Sequence, residues 1–350
     1  MPSNESSSKS NDQFTCEKIV EKASTKWSIE KFSACKEKTG DLKKSSIFKS
    51  KTDDKVKWSL ILYPKGFEDK SRDHISLYLQ LEETDNVDVT TMCRFYVLNQ
   101  EGEKKFAETL NIKFNKTMKR EGCSQFLKTD LILKNDSQIL VNDTLTLGCE
   151  IFYICCTPNT VTTSTTNNPN QSLSTLTNDY GRILESSKFY DCVIKSGDSE
   201  IYAHRCILSD RSEVFDSILT EKQNECTSNI IEINDFSPKV VKEMIKYLYT
   251  GKLPNIDGMA CEMLAIGDKY KLKPLKSAAE ESLMEKVEID NVCDYLIKSE
   301  LYSAKTLQEW CLRFISLNPK SVEKNVEWEK VVNNYPLLVG KLFYYSTNTD

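Results

Sequence analysis

The stretch HISLYLQL, His74–Leu81, decides the fold of the first half of the chain. Ile75, Leu77, Leu79 and Leu81 alternate with Ser76, Tyr78 and Gln80, the period of two expected of a strand with one buried face. Successive side chains of a strand point to opposite faces, so Tyr78 stands away from the apolar row. The same alternation recurs in Trp58, Leu60 and Leu62, in Cys93, Phe95 and Val97, and in Leu145, Leu147, Cys149, Ile151 and Tyr153. Turn chemistry separates these runs at Pro64-Lys65-Gly66, at Asn99–Gly102 and at Asn142-Asp143. Several short strands at this spacing predict an antiparallel sandwich.

That all-β reading stops at Thr157–Asp179, TPNTVTTSTTNNPNQSLSTLTND, which is almost all Ser, Thr and Asn with two prolines and no charge before Asp179. Such a composition buries too little apolar surface to offset its ordering entropy, and residues 157–179 are predicted to be a linker. Residues 1–15 read as a disordered tail for the same reason. Between them lies a β domain at 16–156, and beyond the linker the period changes. Asp191–Lys195 and Glu200–Ala203 suggest a hairpin about Ser196-Gly197-Asp198, and Ile230–Ile233 a further strand. Ser237-Pro238 then opens a helix whose apolar stripe is Val240, Val241, Met244, Ile245, Leu248 and Tyr249, and Gly251 closes it. Further helices are predicted over about 259–271, 274–287, 291–300 and 304–317, with a short one from Asn318-Pro319. An α/β domain at 180–288 and a helical segment at 289–350 follow.

The composition narrows the function. At 350 residues, ~100–200 per domain, two or three domains are expected. Lys and Arg total 47 against 52 Asp and Glu, and that balance speaks against a general nucleic-acid binder. No apolar run approaches the ~18–20 residues of a membrane span, and Met1–Ser10 lacks the layout of a signal peptide. The 13 cysteines are scattered without a C-x-x-C pair, as expected of reduced thiols in the cytosol or nucleus. With 2 histidines, His74 and His204, and no closely spaced ligand couples, no zinc site is expected. Neither histidine sits in a nucleophile motif, and no GxxxxGK[ST] or GxGxxG is present, so no metal, cofactor or free-standing enzymatic chemistry is indicated. The lysine clusters at Lys36–Lys38, Lys43-Lys44 and Lys104-Lys105 are isolated or interleaved with acids and read as solvated surface.

Several longer motifs carry a resemblance. KWSIEKF (Lys26–Phe32), KVKWSLILYPKG (Lys55–Gly66), ISLYLQL (Ile75–Leu81) and LVNDTLTLGCEI (Leu140–Ile151) stand in the first domain. SSKFYDCVI (Ser186–Ile194), YAHRCILSDRSEVF (Tyr202–Phe215), IEINDFSPKVVKEMIKYLYTGKLPN (Ile231–Asn255) and AIGDKYKLKPLK (Ala265–Lys276) stand in the second. VEWEKVV (Val326–Val332) and PLLVGKLF (Pro336–Phe343) continue the series, in one order over about 18–343. Together they resemble the MATH–BTB family of cullin–RING ubiquitin ligase adaptors. The resemblance implies a multidomain chain: an antiparallel, TRAF-like MATH sandwich, an α/β BTB/POZ domain and a C-terminal helical BACK-like segment. It further implies a non-catalytic subunit that holds substrate near a ubiquitin-charged carrier for proteasomal degradation. The partners implied are an extended substrate peptide, a second copy of the chain and a cullin-3-type scaffold. No nucleic acid, membrane or cofactor is implied. The rival reading is a dimeric binding scaffold that does not engage a cullin.

The resemblance also points to residues. Tyr78 matches a substrate-contacting tyrosine, and Phe114 and Lys119 match groove positions that persist. Other groove positions, aromatic in the family, are Cys93, Ile112, Glu121 and Cys123 here, so less ring surface and a negative rim charge are expected to alter peptide preference. Leu176, Tyr180 and Ile183, at i, i+4 and i+7 of a helix leaving the linker, together with Ile207, match the dimer surface. Asp191 and His204 match charged positions buried near it, with His204 expected as a hydrogen-bonded core residue. The cullin loop matches Gln223-Asn224-Glu225, with Glu225 kept, Gln223 in place of a hydrophobic anchor, and Leu219 expected to add apolar contact. The chain closes at Asp350 without a basic run, and cytoplasm and nucleus are both expected compartments.

Overall fold

The structure is a computed structural model describing residues 19–52, 54–84, 88–134, 138–156, 169–224, 229–254, 256 and 258–347. The alternating runs form two antiparallel sheets. The first contains β1 (Glu21–Ile29), and the second begins with β2 (Lys43–Lys44), β3 (Phe48–Lys49), β4 (Lys57–Tyr63) and β5 (His74–Glu83). The chain then crosses between them through β6 (Asp88–Leu98), β7 (Lys104–Asn115), β8 (Arg120–Lys128), the short helix α1 (Thr129–Leu133), β9 (Leu140–Val141) and β10 (Thr144–Cys156). The order is β1-β10-β6-β7 in one sheet, with β9 beside β10, and β2-β4-β5-β8 in the other, with β3 beside β4. Trp58, Leu60, Leu62, Ile75, Leu77, Leu79 and Leu81 face Phe95, Val97, Leu147 and Tyr153 across the interior. At its centre the fully buried Trp58 ring meets Phe114 and Tyr153 edge-on, 5.2 and 5.7 Å between centroids. β7 and β8 are edge strands lying near each other on the same side of the sandwich.

Helix α2 runs Pro169–Ser186, so the stretch read as linker is helical over its last eleven residues, 169–179. Residues 157–168 of that stretch, and the tail at 1–15, lie outside the described residues. Next come the hairpin β11 (Cys192–Ser196) and β12 (Ser199–Ala203), α3 (Arg205–Arg211), α4 (Glu213–Asn224) and β13 (Ile230–Glu232), which pairs in parallel with β11. Helices α5 (Pro238–Thr250), α6 (Ala260–Lys269), α7 (Lys273–Glu285), α8 (Val292–Leu301), α9 (Lys305–Leu317), α10 (Pro319–Val322), α11 (Trp328–Asn334) and α12 (Pro336–Thr347) complete the chain. Gly251 ends α5 in the left-handed region at φ 65°, its N–H donating to the Tyr247 carbonyl at 2.8 Å. Ser237 precedes that helix as expected, but its hydroxyl makes no capping bond; its N–H instead donates to the Glu262 carboxylate at 3.2 Å.

The sandwich does not stand apart from the helices. Met92, Phe152 and Ile154, on the outer face of the β1-β10-β6-β7 sheet, are buried in the same apolar cluster as α5 to α9. β6 and β10 are therefore covered on both faces, which explains why EIFYI in β10 reads as a nearly unbroken apolar run.

Candidate binding surfaces

The β4-β5-β8 sheet carries an aromatic shelf on its outer face. Tyr63 and Tyr78 leave β4 and β5 on that face, and Phe67 folds over them from the following turn. The three rings meet edge-to-face, 5.1 Å between Tyr63 and Phe67 and 5.8 Å from Tyr78 to each of the others. Tyr63 is buried, Tyr78 half-buried, and Phe67 about half-exposed at 49%. The turn is fixed by Gly66, where φ is 76° and a Cβ would lie 2.2 Å from the Ser71 carbonyl oxygen, and by the Phe67 N–H donating to buried Ser76. Arg120 of β8 closes the shelf, its guanidinium donating to the Tyr63 hydroxyl at 2.7 Å and the Gln80 amide oxygen at 2.8 Å. Beyond it Gln80, Thr117, Met118, Lys119 and Arg120 line a shallow open concavity. Burial holds the Tyr78 hydroxyl above its usual pKa, assisted by Tyr63 and Glu121.

Register places the other groove candidates elsewhere. Opposite residues of a pair share a face, and Glu121 pairs with Leu79 while Cys123 pairs with Leu77. Both therefore turn inward, toward the mouth between β7 and β8, where Cys123 bonds Glu108 and its thiol is pushed well up by burial and that carboxylate. Gly122 between them leaves no room for a Cβ, which would sit 2.3 Å from the Leu77 carbonyl oxygen. Lys119 is exposed at the turn, where Asn115 Oδ1 accepts from the N–H groups of Thr117 and Met118.

Three expectations for the groove need correction. Cys93, Ile112 and Phe114 are interior residues, 0, 6 and 0% exposed, packed in the sandwich core rather than lining an open surface. The cause is strand parity: Cys93 shares its face with Phe95 and Val97, and Ile112 and Phe114 share theirs on β7. Tyr63, Phe67 and Arg120 were missed; the alternation of Ser59, Ile61 and Tyr63 against the core residues of β4 is the signal that exposes the first of them.

In the second domain Leu176, Tyr180 and Ile183 form one exposed stripe of α2, at 51, 39 and 40%. The opposite side of α2 packs on α5: Leu184 meets the apolar core, and a Cβ at Gly181 would touch Thr250 at 3.3 Å. Phe189, 95% exposed, and Tyr190 follow α2 directly and add apolar surface the sequence reading missed. Ile207 on α3 is half-buried against the core.

His204 is held at both nitrogens. Its Nε2 lies 2.8 Å from the Lys188 carbonyl, which can only accept, so that nitrogen carries the hydrogen. The Tyr249 hydroxyl, 2.7 Å from Nδ1, donates to it and accepts the His204 backbone N–H at 2.7 Å. A ring bonded at both nitrogens ties the start of α3 to Tyr249 and Lys188. Asp191 is exposed in the single chain rather than buried, its carboxylate accepting the Arg205 N–H at 2.8 Å. Leu219 is also corrected: it is 4% exposed, in the core, and its carbonyl accepts from Arg205. Glu225 and the side chain of Gln223 lie outside the described residues. Among the described residues no group of three or more His, Cys, Asp or Glu could hold a metal ion.

Comparison with known proteins agrees with this division. The MATH domain family matches residues 24–151 and the BTB/POZ domain family residues 180–287. The chain is a MATH–BTB protein. Both are protein-interaction domains, generally non-catalytic, and a BTB domain implies dimerisation or protein partners. Among solved structures, the BTB domain of zebrafish PATZ1 is similar at 18% identity and a TM-score of 0.30, over 35% of this MATH–BTB chain and 100% of that one.

Proposed function

We propose that this MATH–BTB protein is a substrate-recognition adaptor of a cullin-3-type RING ubiquitin ligase, acting in the cytoplasm or nucleus. The observation that carries the reading is the presence in one chain of two separate unpartnered surfaces. The aromatic shelf about Tyr78, with the β7–β8 mouth beside it, suits an extended peptide. The apolar stripe of α2 suits a second copy. Edge strand β8 turns Arg120 to the shelf and Glu121 to the mouth, so alternate side chains of a bound peptide would meet opposite charge. A basic or hydroxyl-bearing residue is favoured at Glu121, and an acidic one is repelled there.

Tyr78→Ala is expected to abolish capture of peptides from a random-peptide display library and to cost about 1–2 kcal/mol of stability through the lost ring contacts. Tyr78→Phe is expected to keep the stability and test the hydroxyl separately. A stability loss well beyond that, with Phe restoring both properties, would make Tyr78 a packing residue. For the ligase connection, wild-type protein is expected to co-elute with the cullin-3 N-terminal domain in size-exclusion chromatography, and Glu225→Lys to weaken the complex.

The burial of Leu219 supports the rival, a dimeric scaffold uncoupled from a ligase, because it removes the apolar contact expected to make up for Gln223. With Gln223 at the anchor position, the interface would have to draw on Glu225 and the C-terminal helices. Absence of co-elution at micromolar concentrations would favour the rival.

A further inference from the structure

We propose that the C-terminal helices form a rigid seat for the sandwich, so that an interdomain joint, rather than the connecting segment, sets the direction in which the MATH surface points. The joint has an apolar centre and a polar rim. Met92, Phe152 and Ile154 of the sandwich are 0, 2 and 0% exposed and belong to the helical core. Over Phe152 lies the Arg313 guanidinium of α9, 4.7 Å from that ring and 5.0 Å from the Tyr345 ring of α12, a cation held between aromatics from two domains.

The rim is specific. Asn111 on β7 donates from Nδ2 to the Val287 carbonyl at 2.7 Å, and its Oδ1 accepts the Trp310 Nε1–H at 3.3 Å. Trp310 is fully buried, and its indole N–H finds this partner across the domain boundary, so separation would strip a core donor of its acceptor. Lys113, on the same face of β7, reaches Glu285 at the end of α7 at 2.7 Å. An apolar patch closed by directional bonds on one side defines a single orientation, whereas a tethered domain would need a polar outer sheet face.

The joint stands whether or not a ligase component binds. Its consequence, a fixed reach from peptide surface to cullin, rests on the proposed function. Both tests below need neither peptide nor cullin and so fail independently of it.

The first test is zero-length carbodiimide coupling of the full-length protein, with crosslinked peptides read by mass spectrometry from the single-chain band. Lys113–Glu285 is expected to form alongside Lys57–Glu83, a 2.6 Å pair within the sandwich that serves as control. Recovery of the control without Lys113–Glu285 overturns the joint. The second test is hydrogen exchange. In the Asn111→Asp/Lys113→Glu variant, carboxylates face the Val287 carbonyl and Glu285, and the amides of α9 are expected to exchange about tenfold faster. Lys113→Glu with Glu285→Lys, Asn111 retained, is expected to bring exchange back toward the wild-type rate but short of it, because Asp88 also lies 3.8 Å from Lys113. Unchanged exchange in the first variant overturns the proposal. Because both substituted positions lie on an edge strand, circular dichroism of the variant is expected to match wild type; where it does not, the carbodiimide coupling of the wild-type protein decides.

Discussion

Individual residues set the binding shelf through steric limits more than through charge. Gly122 lets β8 approach β5 closely enough to hold Tyr78 between Tyr63 and Phe67. With a Cβ there, 2.3 Å from the Leu77 oxygen and 2.6 Å from the Tyr78 Cα, backbone must move. Gly122→Ala is therefore expected to lose about 1–3 kcal/mol in urea unfolding and to lower peptide capture with it. Cysteines divide by the same logic of space. Cys93, Cys149 and Cys311 are fully buried, with thiols pushed up by desolvation, while Cys206 is exposed on α3. Native-state alkylation with iodoacetamide, followed by peptide mapping, is expected to label Cys206 at least about tenfold faster than those three. Parallel labelling of Cys93 would show that the sandwich opens readily.

At the scale of the element, α2 buries one side and leaves the other open. Its Gly181 and Leu184 side meets α5, and the Leu176, Tyr180 and Ile183 side has no cover in a single chain. Covering each of these side chains is worth roughly 1–2 kcal/mol at ~25 cal/mol per Å². Replacing all three with Glu is accordingly expected to give monomers by multi-angle light scattering, with thermal stability of the single chain little changed because the α5 side is untouched. A dimer that persists would remove this stripe from the interface. The stripe was legible because helical spacing holds it in 8 consecutive residues, 176–183. Strands β4, β5, β6 and β10 were legible for the corresponding reason, alternation against a buried face. β7 was not: its first five residues, Lys104–Glu108, are all exposed, so only Leu110, Ile112 and Phe114 carry the pattern. The misassignments of Ile112 and Phe114 have the same root, whereas the alternation of Cys93 with Phe95 and Val97 already placed Cys93 inside, against the matched groove position. Matched positions identify a strand but not which way it faces, and the pairing of β8 with β5 decides that Glu121 turns inward and Arg120 outward.

For the molecule as a whole, the order of domains could be read from the changes of period along the chain, but their docking could not. Asn111, Val287 and Trp310 lie far apart in sequence, and the unbroken apolar run about Phe152 marks a strand covered on both faces without saying which element covers it. On the proposed function, the molecule would gain valency: a dimer through α2 would present two shelves, and the proposed joint would keep their separation constant. A second binding event on the same ligand then becomes intramolecular, at an effective concentration set by the ligand's linker. A peptide selected on the wild-type shelf and presented twice on one flexible chain is expected to bind the dimer ten- to a hundredfold more tightly than the single peptide, by an order-of-magnitude avidity estimate. The α2 triple-Glu variant is expected to bind the single and double peptides alike, with the single-site affinity unchanged. The comparison is made by calorimetry across a series of linker lengths. A gain should emerge once the linker spans the two shelves and decline as it lengthens further. A gain that survives in the monomeric variant would mean that the two sites lie on one chain, and the division of work between shelf and stripe would have to be redrawn.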